Sequence, residues 1–184
     1  QVREVAGALP HMLPQLRCLR ELVLDGVPVS GGLSRATFQP GGFRYSVKSL
    51  DADLGMFRAL CEALRVCKEL ASLSMKKCYL GPNALALLAV VFRDASPPIT
   101  SCCILNNPLG EGVNEIIKVF QDSPRLRTLC GFEEGIEKVD WSNSRKRVAD
   151  VKLLAAELTA GRAIGSCTSL AIDSTGNMRL QHTY

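Results

Sequence analysis

Apolar residues recur with one fixed spacing in residues 70–80 and again in residues 99–109. Each stretch has an apolar side chain at its first, fourth, sixth and eleventh positions, and Cys78 or Asn107 at the ninth. The alternation in the middle of each stretch is typical of a short, half-buried strand. The same spacing, less regular, is found in residues 19–29, 136–144 and 167–175.

Between these stretches the apolar residues change to helical spacing. Positions i, i+3 and i+4 are apolar in residues 54–64, 85–92, 113–120 and 148–158, which predicts four amphipathic helices. Gly161 is expected to cap the end of the last helix. The face of that helix that the spacing assigns to the core consists of Val148, Val151, Leu154, Ala155 and Leu158.

The strand spacing matches L-x-x-L-x-L-x-x-N/C-x-L, the signature of the leucine-rich repeat. With a helix in each unit, the chain resembles the ribonuclease-inhibitor-like class of that family. The resemblance implies an α/β fold, namely a curved solenoid of about five or six partly irregular repeats. In this class parallel strands line the concave face and helices the convex face. Residues 1–184 are expected to form a single leucine-rich repeat domain.

Two regions depart from the repeat. Residues 33–53 predict an irregular insertion, which is either a hairpin or an irregular strand, because Phe43, Tyr45 and Val47 alternate after two glycines. Leu126 starts a further strand that leads towards Ile136 with no helical spacing between them. We therefore expect one strand without its helix.

The composition limits which partners and which cellular compartment are expected. The net charge of +4, from 22 basic and 18 acidic residues, is mild, so nucleic acid is not the expected partner. The longest apolar run is too short for a membrane span. The eight cysteines contain no C-x-x-C pair, and several occupy core positions of the repeat. We therefore expect reduced thiols in an intracellular compartment, cytoplasmic or organellar, with an upstream targeting segment left open.

Residues between the repeat positions should point away from the core. They are expected to form a mixed polar strip on the concave face that contacts another protein. An alternative is that the strip is only solvated and that contacts run through helices or loops. Cys103 would be an outward-facing but unreactive thiol. The predicted strip comprises Arg20, Glu21, Asp25, Ser74, Lys76, Lys77, Cys103, Leu105, Asn106, Lys138, Asp140 and Asn143.

A basic loop, formed by Arg145, Lys146 and Arg147, precedes the last helix. Arg125 and Arg127 add to this cluster in the sequence. The loop is either solvated or a patch for an acidic protein, nucleic acid or lipid headgroup.

Catalysis has little support, because His11 and His182 lie near no nucleophile motif and Gly110-Glu-Gly112 lacks the rest of a phosphate loop. We predict no enzyme activity, metal, cofactor or small-molecule substrate. The expected function is a non-catalytic protein–protein interaction module, a scaffold or structural subunit of a multi-subunit complex. The alternative is a regulatory leucine-rich repeat protein such as a Ran-type GTPase activator, in which Asn106, Asn107 or Arg145 would act.

Overall fold

The computed structural model describes residues 2–30, 33–39, 42–47, 49–94, 98–144 and 146–173. Helices and strands alternate from α2 to β7, and the fold is mixed α/β with small parallel sheets. The helices are α1 (Val2–Met12), α2 (Gly55–Arg65), α3 (Pro82–Arg93), α4 (Gly112–Asp122) and α5 (Val148–Ala160), with a 3-10 turn at Leu13–Gln15. The strands are β1 (Glu21–Val23), β2 (Leu33–Gln39), β3 (Gly42–Val47), β4 (Ser72–Ser74), β5 (Ser101–Cys103), β6 (Lys138–Trp141) and β7 (Ser169–Ile172).

The parallel strands pair in the register that the repeat spacing predicts. β1, β4 and β5 form one sheet in that order, with Leu22 opposite Leu73 and Leu73 opposite Cys102. These three residues hold the same position in their repeats. β6 and β7 form a second parallel pair, in which Val139 lies opposite Leu170.

The core follows the same spacing. Consecutive helices pack against one another from α1 to α5. All ten repeat positions of residues 70–80 and 99–109 are buried, which confirms their predicted role. They are Leu70, Leu73, Met75, Cys78, Leu80, Ile99, Cys102, Ile104, Asn107 and Leu109.

Asn107, at the polar ninth position of its repeat, bonds to the backbone. Its Nδ2 donates to the carbonyls of Met75 at 2.7 Å and Ile104 at 2.8 Å, and its Oδ1 accepts from the N–H of Leu80 at 3.2 Å. One amide side chain therefore satisfies backbone groups of two adjacent repeats. Cys78 makes the matching contact with a single donor, its Sγ lying 3.0 Å from a carbonyl of β1's repeat.

The described residues 33–39 and 42–47 form an antiparallel strand pair, which favours the hairpin over the single irregular strand. β2 and β3 pair antiparallel, with Leu33 opposite Val47 and Gln39 opposite Gly42. Residues 40–41 and 48 of the predicted insertion lie outside the described part of the chain.

The strand predicted at Leu126 has no helix of its own. The N–H of Arg127 donates to Thr100 at 2.7 Å, and Thr128 bridges Ser101 in parallel register, so the chain continues the first sheet beside β5. Residues 131–137, all of them described, then reach β6 without a helix.

The predicted core face of α5 was mostly wrong, although Leu154 is buried as predicted. Val148 is 62% exposed, and Ala155 and Leu158 are also exposed. The face that is buried is rotated along the helix and includes two carboxylates. It comprises Asp150, Leu153, Leu154, Ala156 and Glu157.

Glu157 is buried against the strand that lacks a helix, where it accepts backbone N–H groups. Its Oε1 accepts the N–H groups of Leu129 at 2.5 Å and Cys130 at 2.6 Å. The hydroxyl of Thr128 donates to the same oxygen at 2.9 Å. Helix α5 thus satisfies backbone donors of the preceding repeat. Burial raises the pKa of Glu157, although these hydrogen bonds oppose the shift.

Candidate functional site

The outer face of β1 and β4 carries the first part of the predicted strip. Glu21 is exposed, and Val23 is 57% exposed. Asp25 accepts the hydroxyl of Ser74 at 2.6 Å and the N–H of Lys76 at 2.8 Å, and the ammonium of Lys76 lies 3.9 Å away. These contacts join adjacent repeats into one exposed surface of mixed charge with an apolar side chain beside it.

The strip does not continue across β5. Cys103 is only 3% exposed and Leu105 only 6%, which corrects the expectation that Cys103 is an outward-facing thiol. The reason is Gly131, which turns the chain over β5 with φ of +74° and leaves 2.8 Å between a Cβ placed there and the Cβ of Cys103. Burial raises the pKa of Cys103 to about 11, so its thiolate is disfavoured.

The predicted residues on β6 belong to a different sheet. Lys138 and Asp140 are exposed on β6, and Asn143 is exposed in the turn after it. The hydroxyl and N–H of Ser142 bond to Asp140 and lower its pKa. The N–H of Asn143 donates to Asp173, which follows β7. The structure therefore places the predicted strip in two separate parts.

A cavity of about 390 Å³ lies where three strands of the two parallel sheets end. Its walls come from the turns after β4, β5 and β6. An adjoining cavity of about 410 Å³ shares Pro108 and Arg147 and extends along the start of α5 to Lys152. We call the two together the strand-end groove. The first compartment is lined by Lys77, Tyr79, Asn106, Pro108, Ser144 and Arg147.

The three turns share one backbone conformation. Lys77, Asn106 and Asn143 hold the position before the polar repeat residue, and their φ values are +56°, +61° and +55°. The left-handed conformation turns the following residue back towards the strand carbonyls. Asparagine tolerates this conformation better than most residues, whereas a lysine in it is unusual. The recurring turn places the Lys77 and Asn106 side chains in neighbouring walls of the groove.

Asp150 holds two walls of the groove together. It is fully buried, its Oδ1 accepts the N–H of Asn106 at 2.8 Å, and its Oδ2 accepts the N–H of Arg147 at 2.8 Å. The second bond is half of a capping box at the start of α5. The role of this residue was not predicted from the sequence. The available signal was an acidic side chain at the third position of a predicted helix.

The basic loop is divided between the groove and the core. Arg147 is exposed in both compartments, and the ammonium of Lys146 lies 4.7 Å from the ring centroid of Trp141. Arg145 lies outside the described residues. The loop therefore contributes the guanidinium of Arg147 to the groove and a cation–π contact from Lys146 to the adjacent core.

Arg125 and Arg127 do not extend this basic cluster. Arg125 donates to the carbonyl of Phe92 at the end of α3, at 2.8 Å. Arg127 makes a bidentate pair with Glu134, at 2.6 and 3.1 Å, which raises the pKa of Arg127. Both guanidinium groups are therefore engaged in contacts within the fold and not in the basic loop.

The asparagines considered for GTPase activation differ in whether their side chains can contact another molecule. Asn107 is fully buried and its amide is occupied by backbone groups, so it cannot reach a nucleotide. Asn106 remains at the groove wall. Among the described residues, no three His, Cys, Asp or Glu side chains are placed to hold a metal ion, and no helix is both long and apolar enough to cross a membrane.

Comparison with known proteins supports the fold and no specific activity. No family model matches the chain, and the search of curated proteins found no match. Among solved structures, the tropomodulin C-terminal domain from Caenorhabditis elegans is similar, with a TM-score of 0.51 and 12% sequence identity. The match covers 93% of this chain and 84% of that one. At this identity the likeness extends to the mixed α/β fold alone.

Proposed function

We propose that the protein is a non-catalytic protein–protein interaction module built as a leucine-rich repeat solenoid. Residues 1–184 form one domain of about five or six partly irregular repeats, with the hairpin region at 33–53 as an insertion. The module serves as a scaffold or structural subunit in a larger intracellular assembly. Its partner-binding surface combines the outer face of β1 and β4 with the strand-end groove.

The observation that carries this proposal is the separation of side chains along each repeat. The repeat positions are all buried in residues 70–80 and 99–109, whereas Lys76, Lys77 and Asn106 lie between them on the accessible side. Solenoids of this kind use the surface between their core positions for recognition. The similarity to the tropomodulin C-terminal domain, a leucine-rich-repeat-like fold, is consistent with this reading.

The exposed face of β1 fits a protein partner. Val23 stands 57% exposed among charged side chains, and the neighbouring Asp25 and Ser74 are held in place by a hydrogen bond of 2.6 Å. Interfaces commonly combine an apolar contact with a polar rim of this type. The pre-ordered side chains lose less conformational entropy on binding than free ones would.

Site-specific photocross-linking tests the proposal. A photoreactive amino acid is placed singly at Val23, at Ser144 in the groove, and at Lys68, an exposed control position after α2. Each full-length variant is irradiated in an extract of the organism that makes the protein. We expect the same protein to be cross-linked from Val23 or Ser144, and much less from Lys68. Equal labelling from all three positions, or none above background, refutes the proposed function.

A further inference from the structure

Basic side chains line both compartments of the strand-end groove. Lys77 lies in the first compartment, Arg147 borders both, and Lys152 lies in the second. All three side chains belong to exposed residues. A ligand that contacts all three must reach into both compartments, because Lys77 lines the first and Lys152 lines the second.

The charges of Lys77 and Arg147 are not neutralised within the part of the chain that is described, where neither side chain forms an ion pair. The ammonium of Lys152 contacts only an amide oxygen, that of Asn114 at 3.4 Å. The carboxylate beneath the groove, Asp150, is buried with both oxygens bonded to backbone N–H groups. Positive charge therefore dominates the accessible surface of the first compartment.

The second compartment differs because Glu111 lies in its wall. The Oε2 of Glu111 accepts the side-chain amide of Asn114 at 2.9 Å, which keeps this carboxylate at the start of α4. The exposed Val148 lines the same compartment and offers an apolar contact. This end of the groove favours a small apolar side chain over a second dense anion.

We propose that the strand-end groove binds an extended acidic peptide segment of the partner protein. Carboxylates of the segment pair with Lys77 and Arg147, and an apolar residue packs between Pro108 and Val148. The inference rests on the proposed interaction function and specifies the chemistry that this site recognises. Charge complementarity at such a surface contributes to specificity and to the rate of association.

A peptide fits better than a nucleic acid. A sugar–phosphate backbone would bring a continuous row of charges past Glu111, which repels it, whereas a peptide can place a neutral residue there. Single-stranded nucleic acids also bind through exposed aromatic platforms. The one aromatic side chain of the first compartment, Tyr79, is only half-exposed.

Fluorescence anisotropy tests the proposal with a defined probe and the full chain. The probe is a labelled peptide of about a dozen residues, enough to span both compartments when extended, with glutamate at every third position and valine, proline and glycine between. A second peptide has glutamine in place of each glutamate. A third probe is a single-stranded oligodeoxynucleotide of the same net charge as the acidic peptide.

Two matched pairs of variants locate the binding site. Lys77→Gln with Arg147→Gln removes two groove cations, and Lys68→Gln with Lys118→Gln removes two exposed cations elsewhere. We expect the acidic peptide to bind and the groove pair to weaken binding by about 20-fold, since each exposed ion pair contributes up to about fivefold. The control pair should change the affinity for the acidic peptide by less than about threefold. Added salt should weaken binding of this peptide to the natural chain.

Several outcomes overturn the proposal. These are failure of the acidic peptide to bind, equal binding of the glutamine peptide, and equal effects of the two variant pairs. Tighter binding of the oligonucleotide with the same sensitivity to Lys77 and Arg147 would assign the groove to nucleic acid instead. If the acidic peptide fails to bind while cross-linking from Val23 persists, the interaction function stands and the acidic-peptide inference fails. Thermal unfolding of each variant confirms that it is folded.

Discussion

Removing the carboxylate of Glu157 tests whether α5 supplies hydrogen bonds that the preceding repeat lacks. Glu157→Ala leaves the N–H of Leu129 without its acceptor, while the N–H of Cys130 keeps a bond of 3.1 Å to Thr128. An unsatisfied buried donor costs about 1–3 kcal/mol, and loss of the buried side chain adds a cavity. We expect the free energy of unfolding to fall by about 2–5 kcal/mol.

Glu157→Gln is the matched control, because its side-chain oxygen can still accept from Leu129 and Cys130. Its amide nitrogen would face the Thr128 hydroxyl oxygen, which already accepts the N–H groups of Cys130 and Phe132 at 3.1 and 3.0 Å. The glutamine N–H is then poorly paired, but no buried charge remains to be desolvated. We expect Glu157→Gln to lie within about 1–2 kcal/mol of the natural chain.

The pH dependence follows from the raised pKa of Glu157, which lies above its usual 4.5 because of burial. Below the unfolded pKa the protonated side chain contributes its full stability. As the pH rises through the folded pKa, that contribution is lost, since the folded state then holds a buried charge. The natural chain should therefore lose stability relative to Glu157→Gln as the pH increases above about 4.5.

Urea unfolding followed by circular dichroism measures these differences, with midpoints and slopes compared at low and neutral pH. Equal stability of Glu157→Ala and Glu157→Gln would refute this expectation, because the hydrogen bonds from the N–H groups of Leu129 and Cys130 would then contribute nothing to the free energy of unfolding. A gain in stability of the natural chain relative to Glu157→Gln with rising pH would also refute it, because the ionised carboxylate would then be the favoured form.

Three further changes follow from the packing. Gly131→Ala should destabilise by about 1–3 kcal/mol more than Gly135→Ala in urea unfolding, because both have positive φ but only Gly131 lies against Cys103; equal losses would contradict this. Asn107→Ala should lower the thermal midpoint through a loss of about 2–4 kcal/mol, since it orphans buried backbone groups. Arg162→Ala removes donors to carbonyls at the end of α4, 2.7 and 2.9 Å away, and should speed hydrogen exchange there, with α2 unchanged.

The repeat positions could be predicted because periodicity reports directly which side chains face the core. Leu73 and Cys102 differ in chemistry, yet both occupy the fourth position of their repeats and lie opposite each other in the sheet. The role of Asn107 was also predictable, since an amide at that position has both donors and an acceptor for backbone groups. These inferences need only the order of residues within one repeat.

The buried carboxylates could not be predicted in this way. The acceptors in Asp150 and Glu157 meet donors 44 and 28 positions earlier in the chain, and the pairing depends on where a repeat lacks its helix. A period calculated from apolar residues alone therefore assigned the wrong face of α5. Cys103 was misplaced for a related reason, because Gly131 covers β5 where a regular repeat would leave it open.

The dependence of the helix-less strand on Glu157 has a consequence for synthesis of the chain. In a regular solenoid each new repeat can dock on the last as soon as it is made. Here the backbone donors at Leu129 and Cys130 obtain their carboxylate acceptor only when residue 157 has been added. A nascent chain that ends between these points lacks the Glu157 carboxylate, so we expect this segment to complete its hydrogen bonding only after residue 157 is available.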